Sequence, residues 1–434
     1  MNWPESTLAP LNTNPKSPCV KSFRLHLRWS TLAATALFGV GLLGAGLLLT
    51  GCSKPGFPHY PAHLREYAYI ANGGSDTVTV IDVKNLRQDR VIAVGIHPVS
   101  LATSPIRNEV YVVNSGSADP DQNKPGSVSV IDAETNRVDA TIPVGLAPQS
   151  IDVGPEGKRA YVANEGSNTV SVIDLADRRQ IATIPTGKGP VEARISPDGN
   201  TLVVTNRTAG SVSIFNPHTL TLRSSFSGCP GASDAVILPD SSKAFVACTD
   251  GRQVMAISLA EEPSKNHPDR PKRPDEELAL LEVGKNPTHL ALKPDGGEIF
   301  VSNSGSDTIS EIDTSTNEVG GAYLVGARPS YGLVGSDDST LWMSNFNAGT
   351  IGVYSILDGK LVHTVQVGDG PTALAFSSNG FWLFAIDTNS SDVAIIRTQA
   401  YTPQGDLIAG EMFTLLPTGR HPNAIVVKTF LVKQ

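Results

Sequence analysis

The stretch YVANEGSNTVSVIDLADRRQIATIPTGKGP, Tyr161–Pro190, decides the fold because it recurs along the chain. Closely similar segments begin at Tyr69 (YIANGGSDTVTVID) and at Phe300 (FVSNSGSDTISEID). The opening tetrapeptide occurs eight times, as YIAN at Tyr69, YVVN at Tyr111, YVAN at Tyr161, VVTN at Val203, FVAC at Phe245, FVSN at Phe300, WMSN at Trp342 and a degenerate FAID at Phe384. Most copies are 42 residues apart. A period of this length indicates structural repeats that pack against their neighbours.

Each unit has the same internal order of short segments and turns. A segment that follows a proline, such as PTALAFSSNG at Pro371–Gly380, precedes the YVxN segment, a Gly-Ser-Asp/Asn turn, a TVSVID segment and an ATIPVG segment that ends in Gly-x-x-Pro. Alternating apolar and polar residues between Gly, Asn and Pro are typical of β-strands joined by tight turns. Four antiparallel strands per unit predict a β-propeller blade, since one such sheet buries both faces only between neighbouring sheets.

The YVxN, TVSVID and VGxxP elements resemble the YVTN family of β-propeller repeats, from Tyr67 to about Val427. The resemblance implies an all-β propeller, but it implies no activity because this fold supports many chemistries. The chain opens with three strands (Tyr67–Val94), continues through seven complete units and closes with one strand, NAIVV at Asn423–Val427. We therefore predict eight four-stranded antiparallel blades, with the N- and C-terminal strands paired in one blade. Seven blades, as in many relatives, is the alternative.

The N-terminal residues have the features of an export signal. Four cationic residues precede the apolar run LAATALFGVGLLGAGLLL at Leu32–Leu49: Lys16, Lys21, Arg24 and Arg28. The next residues, LTGC at Leu49–Cys52, resemble the bacterial lipobox, whose Cys is lipidated after cleavage before it; an uncleaved membrane anchor is the alternative. We expect a signal peptide at 1–51, a Pro-rich tether at 52–66 and one propeller domain at 67–434. The lipid on Cys52 would hold the propeller at the cell envelope, outside the cytoplasm.

Charge and missing motifs exclude several functions. Removal of residues 1–51 takes a net charge of +3 from the formal charge of −8 and leaves −11, which disfavours a nucleic-acid partner. The sequence contains no Cys-x-x-Cys-His, GxxxxGK[ST], HExxH or GxSxG motif. We therefore predict no cofactor, and the sequence leaves a metal undetermined.

The repeats also predict which side chains line the central channel. Two residues after the proline of Gly-x-x-Pro, or at the equivalent position, stand Ser100, Ser150, Glu192, Asp234, His289, Tyr331, Ala373 and Ala424, and two residues further on come Asp152 and Arg194. Side chains two apart in a strand share a face. Glu192, Arg194, Asp234, His289 and Tyr331 are therefore predicted to line one side of the channel as a small-ligand or metal site. The alternative is a solvated channel wall with an internal pair between Glu192 and Arg194.

Two histidines form a second candidate site at the rim. His97 and His421 occupy the same Gly-x-x-Pro position in units that become neighbours when the ring closes. They are either a rim site or exposed turn residues.

Two cysteines replace residues that are not Cys in other units. A shift of 42 residues maps Gly187 onto Cys229 and Asn206 onto Cys248. Both substitutions fall at the same end of one predicted hairpin, so we predict a disulfide between them, as suits an exported protein.

These observations give two competing functions. The first is an envelope-anchored propeller that binds a small molecule or an envelope protein on its loop face, as a binding or scaffold module. The second is an enzyme of the lactonase or oxidoreductase type, with its site in the channel, and the sequence leaves this choice open.

Overall fold

The computed structural model describes residues 58–116, 124–260, 273–401 and 407–432, which fall within one compact unit, Pro58–Gln434. These residues form eight four-stranded antiparallel sheets and no helix, so the part of the chain that is described holds no helix able to span a membrane. The predicted lipidation site Cys52 and the predicted signal peptide lie outside the described residues. The prediction of eight blades is confirmed, and the seven-bladed alternative is wrong.

The strands follow the repeats in order. Blade 1 contains β32 (Pro422–Leu431), β1 (Leu64–Asn72), β2 (Thr77–Asp82) and β3 (Arg87–Ala93). Blade 2 contains β4 (Pro98–Thr103), β5 (Glu109–Asn114), β6 (Ser127–Asp132) and β7 (Arg137–Pro143). Blade 3 contains β8 (Pro148–Val153), β9 (Arg159–Asn164), β10 (Thr169–Asp174) and β11 (Arg179–Pro185), and blade 4 contains β12 (Pro190–Ile195), β13 (Leu202–Asn206), β14 (Ser211–Asn216) and β15 (Thr221–Ser227).

Blade 5 contains β16 (Ala232–Ile237), β17 (Lys243–Cys248), β18 (Gln253–Ser258) and β19 (Glu276–Glu282). Blade 6 contains β20 (Pro287–Leu292), β21 (Glu298–Asn303), β22 (Thr308–Asp313) and β23 (Glu318–Leu324). Blade 7 contains β24 (Pro329–Val334), β25 (Thr340–Asn345), β26 (Thr350–Ser355) and β27 (Lys360–Gln366), and blade 8 contains β28 (Pro371–Phe376), β29 (Trp382–Asp387), β30 (Asp392–Tyr401) and β31 (Leu407–Pro417).

The ring closes through blade 1. Strand β32 pairs antiparallel with β1 from Leu64↔Leu431 onward, while β1 pairs with β2 and β2 with β3. The first strand begins at Leu64, three residues before the predicted start of the domain at Tyr67, so residues 64–66 belong to the blade and not to the tether. Pairing of the two ends gives blade 1 its fourth strand, so that β1 has a strand partner on both sides.

The first strand of each blade is the inner strand, and the eight inner strands contact one another around the central channel: β32, β4, β8, β12, β16, β20, β24 and β28. The core lies between blades. For example, Tyr111 and Val128 of blade 2 are fully buried against Ile151 and Val162 of blade 3. Apolar packing on both faces of each sheet therefore fixes the positions of the inner strands, and the inner strands position the channel side chains.

Candidate functional site

The structure places the five predicted channel residues on four consecutive inner strands. Glu192 and Arg194 lie on β12, Asp234 on β16, His289 on β20 and Tyr331 on β24. Successive members are in contact or in electrostatic range, as the distances below show. We call this set the channel sector.

Arg194 is the cation of the channel sector. Its Nη2 atom lies 3.0 Å from Glu192 Oε1 and 4.0 Å from Asp234 Oδ1, and its Nε atom donates a hydrogen bond to the carbonyl oxygen of Ala235 at 3.3 Å. Contacts with both carboxylates raise the pKa of Arg194, with Glu192 the largest cause. The guanidinium group therefore bridges blades 4 and 5 and keeps its positive charge.

Asp234 joins two inner strands through backbone hydrogen bonds. Its Oδ1 atom accepts from the N–H of Ala235 at 3.0 Å, and its Oδ2 atom accepts from the N–H of Leu290 in blade 6 at 2.8 Å. A carboxylate that accepts two amide hydrogen bonds is held in one orientation. Asp234 therefore links the inner strands of blades 5 and 6 and is also a member of the channel sector.

His289 makes the equivalent link to the next blade. The N–H of Gly332 donates to its Nδ1 atom at 3.3 Å, and its Nε2 atom lies 3.8 Å from Asp234 Oδ2. Because an amide N–H can only donate, the neutral ring carries its proton on Nε2 and directs it towards Asp234. Burial lowers the pKa of His289, so the neutral form predominates at neutral pH.

Tyr331 stacks on His289. The two ring centroids are 3.8 Å apart at an interplanar angle of 31°. Burial, together with the negative charge of Asp234, raises the pKa of Tyr331 to about 12. The phenol is therefore a neutral hydrogen-bond donor on the channel wall at physiological pH.

Glu192 differs from the other carboxylates of the channel. Burial within the protein, followed by the negative charges of Asp234 and Asp152, raises its pKa to about 7, although Arg194 opposes this shift. The side chain still keeps 18% of its surface open to solvent, because it faces the channel. Among the described residues, no backbone N–H contributes to the pKa of Glu192, in contrast to that of Asp152. Glu192 is therefore the carboxylate with an oxygen free to exchange a proton near neutral pH.

Asp152, on β8, is a further member of this site that the sequence singled out without assigning it to the sector. Its Oδ1 atom accepts from the N–H of Val153 and its Oδ2 atom from the N–H of Ile195 in blade 4, both at 3.0 Å. Burial raises the pKa of Asp152, and Arg194 opposes the shift. In the sequence, Asp152 stands two residues after Ser150, and Arg194 occupies the equivalent position in the next unit. This shared position is the signal that places Asp152 at the same site.

The structure places His97 and His421 on either side of one loop. His97 Nδ1 lies 3.0 Å from the carbonyl oxygen of Gly73, and the carbonyl oxygen of His421 accepts from the N–H of Gly73 at 3.0 Å. Both histidines are exposed and have a positive φ, 53° and 49°. They are turn residues at the rim, and the channel sector does not include them.

Cys229 and Cys248 form a disulfide in blade 5, with Cα atoms 4.7 Å apart and both side chains fully buried. Cys248 ends β17 and Cys229 precedes β16, so the bond crosses the end of the hairpin where the repeat alignment predicted it. Among the described residues, no group of three or more His, Cys, Asp or Glu side chains is arranged to hold a metal ion.

A cavity of about 630 Å³ lies between blades 7 and 8, away from the channel sector. Its lining includes Trp342, His363, Phe376 and the turn at Ser378 and Asn379. None of the five sector residues contributes to it. We place the candidate site in the channel because acidic, basic and phenolic groups converge there, whereas the cavity lacks such a cluster.

The comparisons with known proteins agree with the fold. Residues 127–226 match the family described as Lactonase, 7-bladed beta-propeller. The match spans strands β6 to β14 and most of β15, and it includes Glu192 and Arg194 but covers less than half of the chain. This chain has eight blades, one more than that description states. No curated protein sequence matches the chain.

Several solved structures share the fold at low sequence identity. Hydrazine synthase of Kuenenia stuttgartiensis is 22% identical (TM-score 0.51; 76% of this chain, 92% of that chain). The dihydro-heme d1 dehydrogenase NirN, in complex with DHE, is 15% identical (TM-score 0.65; 87% and 78%). A Bacteroides uniformis protein provisionally named a 6-phosphogluconolactonase is 16% identical (TM-score 0.55; 84% and 99%). At these identities the structures show that the chain has a β-propeller fold.

Proposed function

We propose that this protein is a hydrolase of the lactonase type, with the channel sector as its active site. The observation that carries the proposal is Glu192, whose pKa of about 7 and ion pair with Arg194 place a proton acceptor beside a permanent cation. The match of residues 127–226 to a lactonase family supports it, since that segment contains both residues.

Glu192 would act as the general base. In its ionised form it would take a proton from a water molecule, whose oxygen attacks the lactone carbonyl carbon. The ring C–O bond then breaks, and the leaving alkoxide takes the proton back from Glu192, so that water is added and the ring opens. Asp152 and Asp234 suit this role less well, because both oxygens of each carboxylate accept backbone hydrogen bonds.

Arg194 and Tyr331 would bind the polar groups of the substrate. The guanidinium group would stabilise the negative charge that develops on the carbonyl oxygen, and the neutral phenol would donate a hydrogen bond. His289 would position Tyr331 through their stacked rings, and Gly332 holds His289 in turn through its N–H. These supports lie on rigid inner strands, which favours a preorganised site.

The proposal predicts a pH profile with one acidic limb. For lactone opening by the purified full chain, we expect kcat/KM to rise with pH as Glu192 loses its proton and to level off above its pKa of about 7. A panel of five- and six-membered sugar lactones, followed by proton release after subtraction of spontaneous opening, provides the measurement. Glu192→Gln should lower kcat by about 10²–10⁴-fold.

Ser100→Ala is the matched control, because Ser100 occupies the same inner-strand position in blade 2, outside the sector. It should leave kcat and the pH profile unchanged. Equal activity of Glu192→Gln and the parent chain would remove Glu192 from the mechanism. Binding of lactones without any turnover would instead favour the binding or scaffold module, which we keep as the second candidate because Asp234 and His289 both have structural roles.

We further propose that the lipobox-like LTGC segment directs lipidation of Cys52, so that the lipid anchors the propeller to the cell envelope. The Pro-containing residues after Cys52 would then connect the lipid to the first blade. Cys52→Ser should leave the precursor uncleaved and prevent labelling by a fatty-acid probe. Unchanged processing and labelling of that variant would refute the anchor.

A further inference from the structure

We propose that the channel sector selects its ligand by charge, accepting an uncharged or ammonium-bearing lactone and rejecting a phosphorylated one. This inference rests on the proposed function only in naming a lactone as the ligand. The charge selection itself concerns binding. It follows from the number and the pairing of the charged groups on the inner strands.

Carboxylates outnumber cations on the inner strands that form this side of the channel. The inner strands of blades 3 to 7 carry Asp152, Glu192 and Asp234, against the one guanidinium group of Arg194. With all three carboxylates ionised the net charge of these residues is −2. Protein walls around a channel strengthen the potential of such a set, because they exclude part of the screening solvent.

The one cation is already paired with carboxylates. Arg194 lies 3.0 Å from Glu192 and 4.0 Å from Asp234, and the negative charge of Asp152 also acts on it. To bind Arg194, a phosphate dianion would have to displace these carboxylates. Because they belong to the same chain, they stay close to the guanidinium group. It would also approach Asp152 and Asp234, whose orientation the backbone fixes, so the repulsion could not be relieved by a side-chain movement.

The remaining charge on the inner strands does not offset this excess. Lys428, near the end of β32 in blade 1, is the other cationic residue of the eight inner strands. It is buried, and its Nζ atom donates to the carbonyl oxygen of Ser104 at 2.5 Å. Its side chain is therefore committed to the contact between blades 1 and 2, and blade 1 lies across the ring from blade 5.

An ammonium group, in contrast, would gain from the same arrangement. Its three N–H donors could reach the channel-facing carboxylates, and its positive charge would reduce their mutual repulsion. Such a ligand should therefore also lower the apparent pKa of Glu192, and the acidic limb of the pH profile should move to lower pH in its presence. An uncharged polyol should bind with an intermediate affinity.

The test uses three stable ligands that differ in one substituent: sorbitol, its amine glucamine and sorbitol 6-phosphate. Their binding to the full chain is measured by calorimetry at about pH 8, where Glu192 is mostly ionised. We expect glucamine to bind about tenfold or more tightly than sorbitol, and sorbitol 6-phosphate to bind at least tenfold more weakly. High salt should narrow both differences.

The double variant Asp152→Asn/Asp234→Asn should reduce the spread between the three affinities. The control, Glu318→Gln, removes an exposed carboxylate from the outer strand β23 and should not change the spread. If the double variant fails to fold, the salt dependence of the parent chain decides the question. Equal affinities, preferred binding of the phosphate or no binding of any of the three would overturn the inference.

The two proposals fail separately. Charge-selective binding without lactone opening would retain the charge selection and remove the hydrolase. Opening of phosphorylated lactones at least as fast as their uncharged counterparts would retain the hydrolase and remove the charge selection.

Discussion

At the scale of single residues, one asparagine recurs at the same position in the repeats and connects neighbouring strands of a blade through its side chain. Blade 8 has a different residue there, and this difference affects the stability of the protein. In the clear repeats the amide group of the asparagine donates to hydroxyl groups on the next strand, as Asn72 does to Thr77 and Thr79 at 3.1 and 2.9 Å. The pairing is mainly between side chains, because the antiparallel register places the Asn beside those hydroxyls.

Blade 8 has Asp387 at this position and Asp392 where the other blades have a hydroxyl or amide side chain. Asp387 is fully buried, and burial with a hydrogen bond to Asp392 raises its pKa to about 8. The folded protein therefore holds a proton that the unfolded chain releases at a lower pH. Its stability should fall as the pH rises from about 4 to about 8 and then level off.

We therefore predict that Asp387→Asn stabilises the protein at neutral and alkaline pH. The new amide group would donate to Asp392, as Asn72 donates to Thr77, and the gain should be about 1–3 kcal/mol. Urea unfolding from about pH 5 to pH 9 measures it, and the variant should show the flatter profile. The reverse change in blade 6, Asn303→Asp, should introduce a pH dependence, whereas equal profiles for the parent and Asp387→Asn would contradict the argument.

At the scale of strands and hairpins, blade 5 replaces that asparagine with half of a disulfide. Cys248 stands at the position of Asn206, so the covalent bond to Cys229 takes the place of the amide hydrogen bonds at the end of the hairpin. The repeat predicted this pair because both positions differ from the other units together. The inner-strand side of the hairpin, which carries Asp234, is thereby tied to its neighbour β17.

Loss of this bond should destabilise the protein by about 3 kcal/mol, the value expected for a loop of this length. The loop spans a sequence separation of 19 residues. Cys229→Ser/Cys248→Ser should show the loss in urea unfolding, and reductant should lower the stability of the parent chain but not of the variant. Two freely alkylated thiols in the unreduced, unfolded parent would contradict the disulfide.

At the scale of the whole molecule, stability depends on closure of the ring. Strand β32 supplies the inner strand of blade 1, and its neighbours on either side around the channel are β28 and β4. Without it β1 would expose an unpaired edge, and blades 2 and 8 would lose an inner-strand neighbour. Exposed edges of this kind pair with other chains.

Deletion of residues 422–434 should therefore cause aggregation and the loss of a cooperative melting transition. Light scattering during thermal unfolding provides the measurement. Removal of Lys433 and Gln434 alone is the control, because it leaves β32 intact, and it should melt as the parent does. A soluble deletion protein with the parent's melting temperature would argue for a different closure.

The repeat pattern predicts the propeller, its eight blades and the positions of the channel residues. It could do so because the period of 42 residues repeats the same strand and turn signals, so that aligned positions occupy equivalent places in every blade. Glu192, Arg194, Asp234, His289 and Tyr331 were therefore predicted as neighbours from their places in the repeat alone. The disulfide followed from the same alignment.

The contacts of each of these side chains, in contrast, depend on how the blades pack against one another. An N–H of the next inner strand donates to Asp152, to Asp234 and to His289. These hydrogen bonds depend on the stagger of each blade relative to its neighbour, because adjacent blades are separate sheets. The burial that raises the pKa of Glu192 depends on protein surrounding the channel on all sides. Such stagger and enclosure arise from packing between units, which a pattern within one unit does not encode.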